Sequence, residues 1–441
     1  MTMTAAVGLA WTNPCLPKLK TTDNPLKRIL NPVEESMVAS VLSLGIGFST
    51  VTAGLVADKI GKKLALVIYG IPMLATDVIF IFATKIEFYY VARFCVGIGV
   101  GCVWTVTPLY TAEISTDENR GFTSIFLLIL TNCAQLFLYA LGPYVSIPII
   151  SMTTLVYTVG FMVLCPLFVP ESPYYYAICK KPEKAEASLK KLRRTDDVKE
   201  EFAVVMQSVE QSKVRKTHEE SWSQIFKSKA IIRSLGIVLT LLLFTQFTGN
   251  VPLTLFLQDI FNASKSNLPS HICVIIVTVV QLISLLCVSK VVDLVNRRIL
   301  LYISQIGTCF ALFPVGTYFF FLERNYNMDA FFWLPVTCVV MYNIFYNIGI
   351  GPLVFVMAGE LFPTNHLRTY LSGIAFTFYI IVGYTMSWFP YIVHKFGIAT
   401  PLFIFTGITL LSLIFIYFCV PETRGKSFLE IQRMLEEGRL K

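Results

Sequence analysis

The sequence predicts an all-α membrane protein composed of two related six-helix halves. Hydrophobic residues make up 55% of the 441 residues and charged residues only 15%, whereas a soluble protein carries about 25% charged residues. The mean hydropathy is +0.66. Three pairs of short motifs also recur in the same order in the two halves. In a membrane protein, such a repeat is typical of a transporter whose halves move around a central site.

Apolar stretches long enough to cross a bilayer as helices, about 20 residues each, recur along the whole chain. Between Met1 and Pro17 lies a further apolar stretch that is too short for a full span, and Pro14 and Pro17 interrupt its end. We interpret it as the outer half of a truncated first helix, and the alternative is a re-entrant or interfacial segment. The eleven complete spans are predicted near residues 33–57, 64–84, 88–112, 120–143, 146–169, 231–257, 271–292, 298–321, 330–358, 368–393 and 398–420.

The spans divide the chain into four segments. Amphipathic helices are predicted for Pro182 to Arg194 and for Ser427 to Leu435, outside the spans. For the first of them a solvated connector is favoured over a lipid-binding role. The segments are an N-terminal half (1–169, with its first helix incomplete), a linker (170–230), a C-terminal half (231–420) and a tail (421–441).

The distribution of charge predicts the topology. Alternate loops carry most of the Lys and Arg residues, including those of the linker and the tail, which places these loops and both termini in the cytoplasm. The sequon Asn262-Ala263-Ser264 falls in a loop on the opposite side, where glycosylation can occur. The basic balance does not indicate nucleic-acid binding, because no soluble domain carries it.

Several classes of function find no support in the sequence. The 11 cysteines are scattered, and no cluster of His, Cys and carboxylates has the spacing of a metal site. The sequence has no phosphate-binding loop and no pairing of a nucleophile with a base, so neither ATP-driven transport nor an enzyme is predicted. Gly97, Gly99 and Gly101 lie within a span, where they favour close helix packing rather than dinucleotide binding. No cofactor, metal or obligate protein partner is predicted.

Charged residues cluster at the predicted cytoplasmic helix ends. Opposite charges there can pair in one conformation and separate in another, and a network of such pairs can bias an equilibrium of a few kcal/mol. We assign Lys62 and Lys63 to membrane orientation alone. The candidate gating residues are Asp58, Glu113, Arg120, Asp293, Arg297, Arg298, Glu360 and Arg368, of which Glu113, Arg120, Glu360 and Arg368 are favoured.

Polar side chains within spans form the candidate substrate site, because they are costly in lipid and usually face a cavity. Amides and hydroxyls both donate and accept hydrogen bonds, which suits a neutral sugar. The alternative is hydrogen bonding between helices, which uses the same residue types. An acid in the predicted span near residues 64–84, Asp77, is interpreted as snorkelling or as pairing with a lysine such as Lys85 rather than as a proton site. The candidates for substrate binding are Gln246, Thr248, Asn250, Gln281, Tyr346, Asn347 and Phe355.

Five motifs, taken in order, resemble the sugar porter family of the major facilitator superfamily. The resemblance covers nearly the whole chain and implies the major facilitator bundle. Within the family, the chain is most similar to insect facilitated trehalose transporter-like members. The resemblance adds Arg93, Glu171 and Glu422 to the charge network, and it favours Gln246 and Gln281 as sugar contacts. The motifs are Asp58–Lys63, Arg93 to Glu113, Pro170–Pro173, Gly349 to Pro363 and Pro421–Gly425.

This resemblance implies facilitated (uniport) transport of a hexose or trehalose across the plasma membrane by alternating access. The partners are then the small-molecule sugar and the lipid bilayer. Proton-coupled members have an Asp in the first helix, and residues 1–20 contain no acid. The alternatives are a non-transporting sugar receptor and a proton-coupled symporter. Thr245 and Val251 replace amides that are common in the family, so an altered substrate preference is expected.

Overall fold

The computed structural model describes residues 1–21, 24–115, 120–216, 229–264, 268–291, 295–362, 366–424, 426 and 428–437. Within these ranges the secondary structure is helical, and there are no strands. Eleven helical segments of the described chain are long and apolar enough to span a membrane. The predicted number of complete spans is therefore confirmed.

The helices are numbered in chain order. Up to the end of the linker they are α1 (Thr2–Ala10), α2 (Thr12–Leu19), α3 (Pro32–Ile60), α4 (Lys62–Phe82), α5 (Ile86–Ile114), α6 (Arg120–Leu141), α7 (Ile147–Phe168), α8 (Pro173–Ile178), α9 (Pro182–Arg193) and α10 (Lys199–Lys216). They continue as α11 (Lys229–Thr245), α12 (Val251–Leu255), α13 (Leu257–Ala263), α14 (Ser270–Val291), α15 (Arg297–Glu323), α16 (Leu334–Ile348), α17 (Ile350–Leu361), α18 (His366–Met386), α19 (Phe389–Phe396), α20 (Ala399–Cys419) and α21 (Phe428–Glu437).

The chain forms two compact units, each assembled from separate stretches. Unit 1 comprises Met1–Gly8, Leu44–Ala134 and Ser146–Trp222. Unit 2 comprises Leu9–Ser43, Gln135–Val145 and Ser223–Lys441. The division of the sequence into four segments remains a prediction.

In unit 1, α3 and α5 pack closely through small residues. A Cβ on Gly45 of α3 would overlap the carbonyl oxygen of Phe94 on α5, and a Cβ on Gly101 would lie 2.6 Å from the carbonyl oxygen of Ile46. Small residues at such positions let helix backbones approach each other in a membrane. The packing role predicted for Gly101 is confirmed.

The linker helices α8, α9 and α10 form a small core of their own within unit 1. Ala185 and Leu189, from one face of α9, are buried in this core together with Val198 and Val205. The predicted amphipathic helix is therefore present, and it ends at Arg193, whose guanidinium donates to the carbonyl of Ile114 at 2.9 Å. That hydrogen bond attaches the linker to the end of α5.

Unit 2 contains two interrupted spans. Between α11 and α12, residues Gln246–Asn250 form a wide turn in which Gly249 has a φ of +90°. Between α16 and α17, Gly349 leaves the helical conformation, with φ −139° and ψ −87°. Breaks of this kind free backbone groups from the helix ladder, and transporters use them to build substrate sites. Both breaks lie next to polar residues that the sequence singled out.

The close contact at Gly45 predicts a large difference between two similar substitutions in unit 1. Gly45→Ala should destabilise the protein by about 1–3 kcal/mol, because the new methyl group has no space. Gly160→Ala is the matched control, since no atom lies within 4 Å of a Cβ at that position. Thermal midpoints of the two purified variants in detergent provide the measurement. Equal midpoints would contradict the packing assigned to Gly45.

Candidate functional site

The carboxylate of Glu171 caps the N-terminus of α4. The backbone N–H groups of Lys62 and Lys63 donate to it at 3.0 and 3.1 Å, and Gly61 precedes them with a φ of +100°. The first N–H groups of a helix have no partner within the helix, and the positive end of the helix dipole favours an anion. Glu171 therefore fixes the start of this span.

Glu422 occupies the same position in unit 2. The backbone N–H groups of Arg297 and Arg298, at the start of α15, donate to its carboxylate at 3.0 and 3.1 Å. The N–H of Arg424 donates to it as well, at 3.0 Å. Two motifs that matched in the sequence thus make the same contacts in the structure.

A second carboxylate stands beside each cap. In unit 1, Glu113 pairs with the ammonium of Lys62 and accepts a hydrogen bond from the hydroxyl of Ser172. Lys62 therefore has a partner at the helix end and does more than orient the chain, contrary to our assignment from the sequence. The pair is partly shielded, since the side chain of Lys62 is 10% exposed.

Unit 2 repeats this pair with different side chains. Arg297 lies 3.3 Å from Glu360, and the Thr423 hydroxyl donates to Glu360 at 2.5 Å. Arg replaces Lys and Thr replaces Ser, while the donor and acceptor roles are unchanged. We define these groups as the unit 1 charge cluster (Lys62, Glu113, Glu171 and Ser172) and the unit 2 charge cluster (Arg297, Glu360, Glu422 and Thr423).

The remaining residues of the proposed gating network are placed differently. Arg298 donates to the carbonyl of Tyr417 at 3.0 Å, and Asp58 is exposed near the end of α3. Arg120 and Arg368 belong to the first turns of α6 and α18, but their side chains lie outside the described part of the structure. Asp293 also lies outside the described residues.

Arg93 is separate from the charge clusters. It is fully buried, and its guanidinium donates to the carbonyl of Gly8 in α1 at 2.6 Å. Along α5 it is about 30 Å from Glu113, at 1.5 Å per residue. Arg93 therefore connects α1 and α5 within unit 1 instead of joining the charges at the end of α5.

The interrupted spans of unit 2 carry buried amides with unused hydrogen-bonding groups. The Gln246 side chain donates to the carbonyl of Tyr379 at 3.0 Å, while its Oε1 has no partner among the described residues. On the second interrupted span, Nδ2 of Asn347 also has no partner among them. Buried polar atoms are nearly always hydrogen-bonded, so an acceptor and a donor are left for a ligand or for water.

Aromatic rings accompany these amides. Tyr342 and Tyr346 of α16 stack with their ring centroids 5.7 Å apart. Phe355 meets Tyr379 edge-on at 5.5 Å, and the side chain of Phe355 is 44% exposed. Flat faces beside hydrogen-bonding amides provide contacts for both the C–H groups and the hydroxyls of a sugar.

Other candidate substrate residues are less informative. The hydroxyl of Thr248 donates to the carbonyl of Thr245 at 2.9 Å, which supports the turn itself. Asn250 and Gln281 are half-buried, and no hydrogen bond joins Gln281 to Gln246 in the described structure. Their binding roles stay predictions.

Asp77 does not pair with Lys85. Its two carboxylate oxygens accept hydrogen bonds from the hydroxyls of Thr154 and Thr158 on α7, at 2.7 and 2.9 Å. The side chain is buried, and Lys85 is exposed. Our interpretation of Asp77 as the partner of Lys85 was wrong. The sequence shows that α4 carries an acid but does not show that α7 presents two hydroxyls to it.

Ionic contacts hold the start of α13. The ammonium of Lys20 lies 2.7 Å from the carboxylate of Glu35 and 3.1 Å from that of Asp259. Burial tends to lower the pKa of Lys20, but Asp259 and Glu35 outweigh it and the pKa is raised. Burial raises the pKa of Asp259, and Lys20 offsets part of that shift. Close by, the sequon residue Asn262 is exposed on α13.

An open cleft of about 560 Å³ lies elsewhere in unit 2. Phe320, Phe396 and Phe403 line it, and the guanidinium of Arg324 lies over the Phe320 ring at 4.0 Å. None of the predicted substrate residues lies in this cleft. The other lining residues are Glu323, Arg324, Ala399, Thr400 and Ile404, so the cleft lacks the buried amides found at the helix breaks.

Comparisons with known proteins agree with this architecture. Residues 4–435 match the family model described as sugar (and other) transporter. A facilitated trehalose transporter (Tret1-2 homolog) of Drosophila simulans is 27% identical over 91% of this chain and 82% of its own length. A facilitated glucose transporter of Mus musculus, member 6 of solute carrier family 2, is 28% identical over 98% of this chain and 88% of its own length.

Solved structures show the same fold. The xylose transporter XylE from E. coli, in a partially occluded inward-open conformation, superposes with a TM-score of 0.78 at 19% identity, covering 97% of each chain. The proton:xylose symporter XylE bound to 6-bromo-6-deoxy-D-glucose gives a TM-score of 0.73 at 20% identity, covering 99% of this chain and 97% of that chain.

The two caps predict equivalent losses of stability. Glu171→Gln and Glu422→Gln should each lower the free energy of unfolding by about 1–2 kcal/mol. A neutral amide accepts hydrogen bonds from two N–H groups at the positive end of the helix dipole less well than a carboxylate does. The control is Glu186→Gln, which removes only the exposed partner of Lys190. Thermal unfolding in detergent should show a lower midpoint for each cap variant and an unchanged midpoint for the control. A drop in only one of the cap variants would refute the equivalence of the two positions.

Proposed function

The chain belongs to the sugar (and other) transporter family, and on that basis we propose that it carries a hexose or trehalose across the plasma membrane by facilitated diffusion. It is a multi-pass membrane transporter and not an enzyme. The names of its relatives, which include trehalose and glucose transporters, support the proposed substrate class. The Lys and Arg residues of alternate loops support cytoplasmic termini.

The observation that carries the proposal is the pair of unused amide groups at the two helix breaks. Oε1 of Gln246 offers an acceptor and Nδ2 of Asn347 offers a donor, both on buried side chains of unit 2. A sugar hydroxyl both donates and accepts, so it matches either group without a compensating charge. Tyr346, which precedes Asn347 in the chain, and Phe355, which meets Tyr379 edge-on, add apolar faces to the proposed site.

Alternating access requires elements that can be stable in two arrangements. The charge clusters support such a role, because their ion pairs are partly shielded and lie at helix ends. We propose that the clusters, together with Arg120 and Arg368, stabilise one conformation and separate in the other. Small differences in pairing suffice, since the states of such switches differ by only a few kcal/mol.

The composition of the first helical segments supports uniport rather than proton coupling, because residues 1–20 contain no acid. The second candidate is proton symport, which is favoured by Asp77, a buried carboxyl group within a span. XylE, which has the same fold, is a proton:xylose symporter.

The substrate site is tested by two asparagines on the same helix. Asn347→Ala should weaken sugar binding about three- to tenfold, the cost of one lost hydrogen bond. Asn343→Ala is the matched control, because Nδ2 of Asn343 already donates to the carbonyl of Val339 at 3.0 Å. Binding of glucose and trehalose to the purified variants is measured directly. Equal affinities for both variants would favour a packing role for Asn347.

Coupling is tested by electrical recording. In oocytes expressing the chain, addition of sugar should evoke no inward current at mildly acidic external pH, and Asp77→Asn should retain uptake. A sugar-evoked current that disappears in Asp77→Asn would replace uniport by symport through this carboxyl group. A current that persists in the variant would refute uniport and exclude Asp77 as the proton carrier.

A further inference from the structure

The predicted span near residues 231–257 has a second interruption, at Phe256, whose φ of −122° and ψ of 21° separate α12 from α13. In an unbroken α-helix the N–H of Gln258 would donate to the carbonyl of Thr254. Here the side chain of Asn13, from α2, stands between them. The N–H of Gln258 donates to Oδ1 of Asn13 at 3.3 Å, and Nδ2 of Asn13 donates to the carbonyl of Thr254 at 2.5 Å.

The amide of asparagine suits this position because it presents a donor and an acceptor, as a peptide group does. Asn13 is 1% exposed, and Nδ2 also donates to the hydroxyl of Tyr139 at 3.0 Å. Backbone groups without partners are costly at membrane depth. Asn13 therefore satisfies both backbone groups that the bend at Phe256 releases.

Neighbouring residues hold the two partners of this contact. Lys18, five residues after Asn13, donates to the carbonyls of Gly142 and Val145 and so anchors the end of α2. Lys20 pairs with Asp259, directly after Gln258. The bent segment Val251–Ala263 is thus attached to the N-terminal part of the chain at two points within unit 2. Asn13 of α2 holds the bend at Phe256, and Lys20 forms an ion pair with Asp259.

We infer that Asn13 is a positioning residue that holds the bent segment Val251–Ala263 through its amide, and that releasing this amide is a step of the transport cycle. When the amide leaves, Gln258 and Thr254 can bond to each other directly and the segment can straighten. The backbone is satisfied in both arrangements, so the two states remain close in free energy. The inference rests on the proposed transport function, because the segment directly follows the break that carries Gln246.

The test compares Asn13→Ala with two control variants. Tyr139→Phe removes one contact of the Asn13 amide and leaves both backbone bridges intact. Asn24→Ala removes another buried asparagine of the same region, whose Nδ2 donates to the carbonyls of Leu19, Thr21 and Arg28; among the described residues it makes no hydrogen bond to the bent segment. The readouts are hydrogen exchange of peptides covering residues 251–263, sugar uptake and sugar binding.

Asn13→Ala should change hydrogen exchange in residues 251–263 selectively. It should also alter the maximal uptake rate about fivefold or more while sugar affinity changes about twofold or less, since the amide acts on the segment and not on the sugar. Both controls should keep wild-type exchange in this segment, even if Asn24→Ala lowers overall stability. Wild-type exchange and uptake in Asn13→Ala, or the same selective change in Asn24→Ala, would overturn the inference.

Two further measurements keep the outcomes distinct. If Asn13→Ala fails to fold, Asn13→Leu is used, because it has a similar volume and removes both the acceptor for Gln258 and the donor for Thr254. It should show the same selective change, and wild-type behaviour would overturn the inference. Hydrogen exchange requires no sugar. A selective change in exchange in a chain that transports no tested sugar would therefore support the hinge contact while refuting the proposed function.

Discussion

The constraint on which this structure depends is that every backbone N–H and C=O group in a membrane span needs a partner from the protein. An unbroken helix meets it internally, whereas an interrupted span needs side chains. At the break at Gly349, between α16 and α17, the hydroxyl of Ser304 accepts a hydrogen bond from the N–H of Ile350 at 3.0 Å. At the turn before Val251, Thr248 donates to the carbonyl of Thr245. Side chains that stabilise the breaks therefore also determine where the spans can bend.

The same constraint explains why the charge clusters take the form they do. A span that begins directly after a short loop leaves several N–H groups without helical partners, and a carboxylate satisfies two of them at once. Glu171 and Glu422 do so at equivalent positions. Once the carboxylate fixes the start of the helix, the first side chain, Lys62 or Arg297, is directed toward the second carboxylate. Because the cap and the pair depend on each other, the motifs stay paired in the sequence even though their cations and hydroxyls differ.

The sequence predicted features set by local pattern and missed those set by long-range contacts. Span number and the linker helix follow from hydrophobic length and periodicity, which are local properties. The repeated motifs predicted equivalent positions but not the ion pair of Lys62 with Glu113, because spacing along a chain does not identify partners on other helices. The partners of Asp77 were missed for the same reason. Asn13 carried a signal, a polar amide in an apolar segment, but its role depends on a bend at Phe256 that residue patterns do not show.

The helix breaks also connect binding to motion. Gln246 begins the wide turn, and Asn347 lies two residues before the break at Gly349, so both unused amides adjoin backbone that is already free of the regular ladder. A hydrogen bond between a ligand and an amide on a rigid helix increases the affinity but does not change the conformation of the protein. At a hinge, the same bond also favours whichever backbone arrangement presents the amide best, and a ligand shifts an equilibrium only through such a difference in affinity. Placing neutral hydrogen-bonding groups at the flexible points of two spans therefore lets an uncharged sugar, which brings no electrostatic driving force, influence the conformation of its carrier.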